Sequence, residues 1–209
     1  MEMISNTPYG AEGIVEAGLV PKLVEKLKNE HDEIKTLILD TLHFCMLVST
    51  KDALENAAMK VFTDLLRHQS AEIRAKAARD IMDLSVPLAG KDNAVDVNCV
   101  PVLVELLKDE NTEVRAKSAG ALMSITITTK GKYTALESEV VDPLVALTED
   151  ESSEVRLNAL KTLTCVSEAP EGRILILKQV DKIQERCKDE IPAVLKAAET
   201  AVKVITWKP

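Results

Sequence analysis

Residues able to do chemistry are few in this chain and widely spaced. The histidines are His31, His43 and His68, and the cysteines are Cys45, Cys99, Cys165 and Cys187. A zinc site asks for such residues at short fixed intervals, as in CxxC or HExxH. Neither spacing occurs. His43 and Cys45 are close in sequence, but two positions apart on a helix they do not face each other. GxSxG, which would expose a nucleophilic serine, is also missing. Glu149-Asp150-Glu151 sets carboxylates side by side, the raw material of general acid–base work. They fall between two predicted helices, where a solvated loop explains them. Gly90-Lys91, Gly131-Lys132 and Gly172-Arg173 hint at phosphate loops, but GxxxxGK[ST] is absent and no strand pattern precedes them. The expectation is a chain that is not an enzyme, with no catalytic residue, cofactor, metal or small-molecule substrate.

What organises the chain is repetition. Glu33-Ile34-Lys35, Glu72-Ile73-Arg74, Glu113-Val114-Arg115 and Glu154-Val155-Arg156 recur every 39 to 41 residues, and Ala193-Val194-Leu195 follows as a degenerate fifth copy. A period near 40 residues marks helical solenoids of the armadillo and HEAT type. The glycine pairs keep the same 41-residue interval, with Pro87 and Pro170 just before two of them. They are expected to punctuate the turn from one unit to the next. The expected units are 10–50, 51–88, 89–129, 130–169 and 170–207, forming a single solenoid over 10–207.

The third unit shows the anatomy. Gly90 to Val97 reads as a short helix, and Val100 to Leu107 as a second, with Pro101 suited to a first turn. Asn111 caps a third helix, whose Glu113 favours the dipole. Val114, Ser118, Leu122 and Ile125 then share one face, as do Ile73, Ala77, Ile81 and Leu84, and Val155, Ala159, Leu163 and Val166. Small residues at 77, 118, 159 and 198 allow close helix approach. Three helices per unit predict an all-α, right-handed armadillo/HEAT-type superhelix of about five repeats.

Composition narrows the partners. The formal charge is −8 and aromatics are 2%, so neither phosphate neutralisation nor base stacking is provided for, and nucleic acid is not expected. Isolated cysteines argue for reduced thiols. The segment after Met1 has no basic or apolar leader pattern, and apolar runs such as Ile174-Leu175-Ile176-Leu177 are too short to span a membrane.

The candidate binding residues lie beside the buried face of the third helices. Positions i, i+3 and i+7 hold Lys76, Arg79 and Asp83, then Lys117, Gly120 and Ser124, then Asn158, Lys161 and Cys165. In an armadillo solenoid this stripe lines the concave groove, so a partly basic ladder crosses an acidic protein and suits an acidic or extended partner segment. The competing reading is local helix support, through the i, i+4 pairs Glu72–Lys76 and Glu113–Lys117. At the first unit, Ile14, Leu19 and Leu23 are expected to lack a neighbour, which predicts self-association of a truncated N-terminal edge. Trp207 is expected to cover the last groove.

Gly13-Ile14-Val15-Glu16-Ala17-Gly18-Leu19-Val20-Pro21-Lys22-Leu23-Val24 resembles the armadillo-repeat family. Ala119-Gly120-Ala121-Leu122-Met123, Gly131-Lys132-Tyr133, Glu168 to Arg173 and Trp207-Lys208-Pro209 narrow the resemblance to armadillo proteins of the radial spoke head, over their C-terminal part. That resemblance implies a structural component of the radial spokes of motile cilia and sperm flagella. Its partners would be other radial spoke or axonemal proteins, in the cytoskeleton of the cytoplasm and axoneme, and it would have no catalytic residues. A cytosolic adaptor for trafficking or signalling is the alternative. Nuclear-import adaptors grip basic peptides with an Asn ladder and a Trp ladder. The matching positions here hold Phe44, Asp83, Ser124, Cys165 and Val204, and Asp40, Arg79, Gly120, Lys161 and Thr200. Neither ladder is present.

Overall fold

A computed structural model describes residues 2–208; Met1 and Pro209, which entered the leader and C-terminal readings above, lie outside the described residues. After a short α1 (Glu2–Ser5) the chain forms helices in threes. They are α2 (Pro8–Glu16), α3 (Val20–Leu27) and α4 (Asp32–Val48), then α5 (Lys51–Glu55), α6 (Ala58–Leu65) and α7 (Ala71–Leu84). Next come α8 (Leu88–Asp96), α9 (Cys99–Leu106) and α10 (Thr112–Ile125), then α11 (Thr129–Glu137), α12 (Val141–Leu147) and α13 (Ser153–Val166). The last group is α14 (Pro170–Leu177), α15 (Val180–Glu185) with a 3-10 turn at Arg186–Lys188, and α16 (Pro192–Ile205). No strand occurs among the described residues, as expected for an all-α solenoid. None of these helices is long and apolar enough to cross a membrane.

The third helices form the spine. α4 packs on α7, α7 on α10, α10 on α13 and α13 on α16. Their register follows from the apolar stripe: Ile73, Ala77, Ile81 and Leu84 are fully buried, and so are Val114, Ser118, Leu122 and Ile125. α7 and α10 open on a polar side-chain cap. The Asn111 side chain accepts from the amides of Glu113 and Val114 at 3.0 and 3.1 Å, and Ser70 accepts from Ile73. Such caps stabilise a helix by about 1 kcal/mol each.

Two joints recur along the chain. Between first and second helices of the first four units the backbone turns through a left-handed residue: Gly18, Ala57, Asn98 and Glu139, with φ of 57° to 64°. Only glycine and asparagine take that conformation readily. Between a third helix and the next first helix, the expected turn glycines are in fact helical. Gly90, Gly131 and Gly172 lie in the first turns of α8, α11 and α14. A Cβ at these sites would stand 1.7 Å from Leu84 O, 2.2 Å from Ile125 O and 2.4 Å from Val166 O. Glycine is demanded by close approach to the preceding helix's last carbonyls, not by a turn.

The N-terminal expectation needs correction. Ile14 and Leu23 are buried and Leu19 is half-buried, because α1, α2 and α3 close over α4. The exposed apolar residues there include Ile4 and Tyr9, and Ile34 and Leu37 of α4. Ile34 occupies the position that Ile73, Val114 and Val155 fill in fully buried form.

A candidate docking face on the third-helix ladder

The stripe residues fall into two groups. Toward the N-terminal end the cations are spent on neighbouring helices. Lys76 Nζ bonds Asp40 Oδ2 of α4 at 2.7 Å and Glu72 Oε1 at 2.9 Å. Arg79 bonds Asp40 Oδ1 and its neighbour Asp80, each at 2.9 Å. Burial pushes the Asp40 carboxyl upward, but the hydrogen bonds from Lys76 and Arg79 outweigh it and hold the group below the ordinary carboxylate value. Asp83 Oδ2 lies 2.6 Å from Nδ1 of His43. So Lys76, Arg79 and Asp83 join α7 to α4.

Further along, Lys117 Nζ reaches across to Glu154 Oε1 of the next unit at 2.8 Å. Asn158 donates to the Ala116 carbonyl and Thr162 to the Ala119 carbonyl, both at 3.0 Å. Gly120 makes room for this close seam, since a Cβ there would meet Met82 Sδ at 3.0 Å and Asn158 Nδ2 at 3.3 Å. Ser124 is half-buried beside it.

Lys161 differs. It is exposed and makes no ion pair among the described residues, and the same holds for Lys196 one helix on. The two lysines border a groove of about 510 Å³ between α10, α13 and α16. Its floor is apolar, with Met123, Leu157 and Ala197, and Ile127 at one rim. Cys165 lines it as well. Burial, with Glu168 nearby, raises the Cys165 thiol above its ordinary value. Burial also pushes Cys45 to about 11 and Cys99 to about 12, so these thiols are inert packing groups. Trp207 is not over this groove: Arg173 of α14 stacks on its ring, 5.6 Å from the centroid.

A second ladder was not foreseen. Arg74, Arg115 and Arg156 end the repeated triplet, and each guanidinium crosses to the next unit. Arg74 takes both oxygens of Asp109 at 2.9 and 3.1 Å, Arg115 takes Asp150 at 2.8 Å, and Arg156 takes both oxygens of Asp189 at 2.8 and 2.9 Å. Each arginine also donates to two backbone carbonyls in the loop before its own helix. The signal was available, since Asp109, Asp150 and Asp189 keep nearly the triplet's own interval. At the first joint the polarity is reversed: Asp32 Oδ1 faces His68 Nε2 at 3.3 Å, and His68 stands where the aspartate would be.

Sequence and structure comparisons place this geometry. The profile of the family described as "GCN1-like, C-terminal HEAT repeats" matches residues 99–206, just over half of the chain. Among solved structures, an engineered protein superposes with a TM-score of 0.92 at 24% identity, covering 98% of this chain and 86% of that one. A designed armadillo repeat protein in complex with peptide (KR)4 superposes with a TM-score of 0.88 at 19% identity, covering 97% and 88%. A second designed armadillo repeat protein gives 0.90 at 19% identity, covering 98% and 90%. At these identities the likeness is one of fold.

Proposed function

The chain belongs to the family of GCN1-like C-terminal HEAT repeats, and from that premise we propose a protein-docking scaffold whose third-helix ladder receives an extended, acidic partner segment. The observation that carries this reading is the groove between α10 and α16. It pairs an apolar floor with two exposed, uncommitted lysines on a chain of net charge −8. One structural neighbour holds a basic peptide, (KR)4. The cationic rim here calls for the opposite charge, with an apolar side chain to fill the floor.

The test follows from the two groups of cations. Lys161→Glu with Lys196→Glu should weaken capture of an acidic, leucine-containing peptide about tenfold or more and flatten its salt dependence, with melting unchanged. Binding that survives the double substitution moves the docking surface elsewhere. Arg79 is unsuitable for this experiment because its guanidinium already serves Asp40 and Asp80.

We further propose that the setting is the axonemal radial spoke, with other spoke or axonemal proteins as partners. The support is the resemblance of Ala119 to Met123, Gly131 to Tyr133 and Glu168 to Arg173 to radial spoke head protein 14 homologs. A tagged chain expressed in multiciliated cells should give an axonemal signal that resists detergent extraction. A diffuse, extractable signal would favour the cytosolic adaptor instead.

A further inference from the structure

The α4–α7 contact holds a cluster that docking does not use. Asp80 and Asp83 stand one turn apart on α7, and His43 meets them from α4. One ligand atom from each lies within 4.8 Å of the other two. Asp80 is fully buried. Its Oδ1 is held by Arg79 at 2.9 Å, while its Oδ2 has no hydrogen-bond partner. A wholly buried acceptor left empty in this way is uncommon in folded proteins. The same carboxylate belongs to a close cluster with two other donors of metal-ligand type.

We propose that His43, Asp80 and Asp83 form a binding site for one divalent transition-metal ion, with zinc the best fit to the donors. One imidazole nitrogen and two carboxylate oxygens make a borderline donor set that zinc accepts, whereas calcium and magnesium prefer six or more oxygens. The ligand atoms lie within 4.8 Å of one another, so small side-chain shifts would bring them to the mutual spacing of about 3.3–3.5 Å that ligands adopt around zinc at about 2.0–2.2 Å, with the ion replacing the His43–Asp83 hydrogen bond. His43 is partly open to solvent, which supplies an entry path and a water for the fourth position. Arg79 serves as an outer partner: it holds Oδ1 of Asp80 and is itself fixed by Asp40, while Oδ2 keeps no hydrogen-bond partner.

The site belongs to this joint alone. At the next joint the corresponding positions are Met82, Ala121 and Ser124, and then Met123, Thr162 and Cys165, neither of which repeats the set. A metal here would therefore staple the first two units specifically.

The experiment uses the whole chain, stripped with a chelator and titrated with zinc ion alone by calorimetry. One equivalent should bind, raise the melting temperature and release protons. His43→Gln and Asp83→Asn, which keep the side-chain shapes, should each weaken binding about tenfold or more. Cobalt(II) in place of zinc should show visible d–d bands of four-coordinate intensity without thiolate charge transfer. Absence of a one-to-one isotherm would overturn the proposal, as would unchanged affinity in His43→Gln or thiolate bands from a cysteine site. The cobalt spectrum is read on the unmutated chain, so it decides the matter even if a variant fails to fold.

Discussion

Arg156 grips Asp189 with two parallel bonds, Nε to Oδ2 at 2.8 Å and Nη2 to Oδ1 at 2.9 Å, across the joint between the fourth and fifth units. Both side chains are largely withdrawn from water. Fork-to-fork pairing of this kind is among the stronger polar contacts in proteins. Removing one partner leaves the other buried and unpaired, so Asp189→Asn should lower stability by about 2–4 kcal/mol in denaturant melts. The hydrogen bond from Arg156, above all, holds the Asp189 carboxyl below its ordinary value. A depressed carboxylate contributes stability above the unfolded value near 3.9 that is lost as pH falls through the folded value. The gap between the parent and Asp189→Asn should therefore close below about pH 4.

Two helical glycines in contrasting surroundings should respond in opposite directions. Gly90→Ala drives a Cβ into the Leu84 carbonyl and should cost about 3 kcal/mol. Gly13, inside α2, has nothing within 4 Å of its Cβ position, so Gly13→Ala should gain about 0.5–1 kcal/mol. Equal melting temperatures for the two variants would disprove the close-approach argument.

Glu139 holds a left-handed backbone at φ 57° where Gly18 and Asn98 hold the same turn without strain. Glu139→Gly should stabilise by about 0.5–1 kcal/mol, relief of strain exceeding the added chain entropy. A loss on substitution would mean that the Glu139 side chain contributes more than its backbone costs.

Leu122 is fully buried in the middle of α10. Leu122→Ala should destabilise by about 2–5 kcal/mol, and a change under about 0.5 kcal/mol would place the stripe on the wrong face.

Asp80 gives a pH dependence of the opposite sign to Asp189. Burial raises its carboxyl well above the ordinary value, Arg79 opposes this, and Asp83 reinforces it. The folded chain then holds a proton that the unfolded chain has released. Stability due to Asp80 falls as pH rises from about 4 to the folded value, and is level above it. Asp80→Asn removes that decline. In chelator, the melting temperature of the parent should drop relative to Asp80→Asn across this window.

The sequence was legible wherever one residue's surroundings are local. The caps, the stripe at Val114, Ser118, Leu122 and Ile125, and the all-α solenoid class follow from spacing within a helix. Contacts between units were legible only where both partners repeat, as in the arginine–aspartate ladder, because residues about 35 to 40 positions apart become neighbours only after stacking. Lys117 was expected to pair with Glu113 one turn away, and the structure gives it Glu154. Lys76 keeps the expected Glu72 but adds Asp40. His43 offered nothing at short range, and its partner Asp83 arrives from the next third helix. The glycines of the first helices were misread for the same reason, since the carbonyls they accommodate belong to the previous unit.

The reversed first joint has a mechanical consequence. A solenoid under tension is a spring whose coils are held by their links to the next coil alone. The later links are arginine clamps anchored to aspartates and to loop carbonyls. In that ladder the first link is a lone contact between Asp32 and His68 at 3.3 Å, with Asp32 mostly in water; further along the same two helices Asp40 holds Lys76 and Arg79, and His43 meets Asp83. Stretched end to end, the Asp32–His68 end of the α4–α7 joint should part first, with the Asp40 and His43 contacts as its hinge, while the clamped joints from α10 to α16 keep their shape. A cargo seated in that clamped segment would stay bound while the first joint hinges.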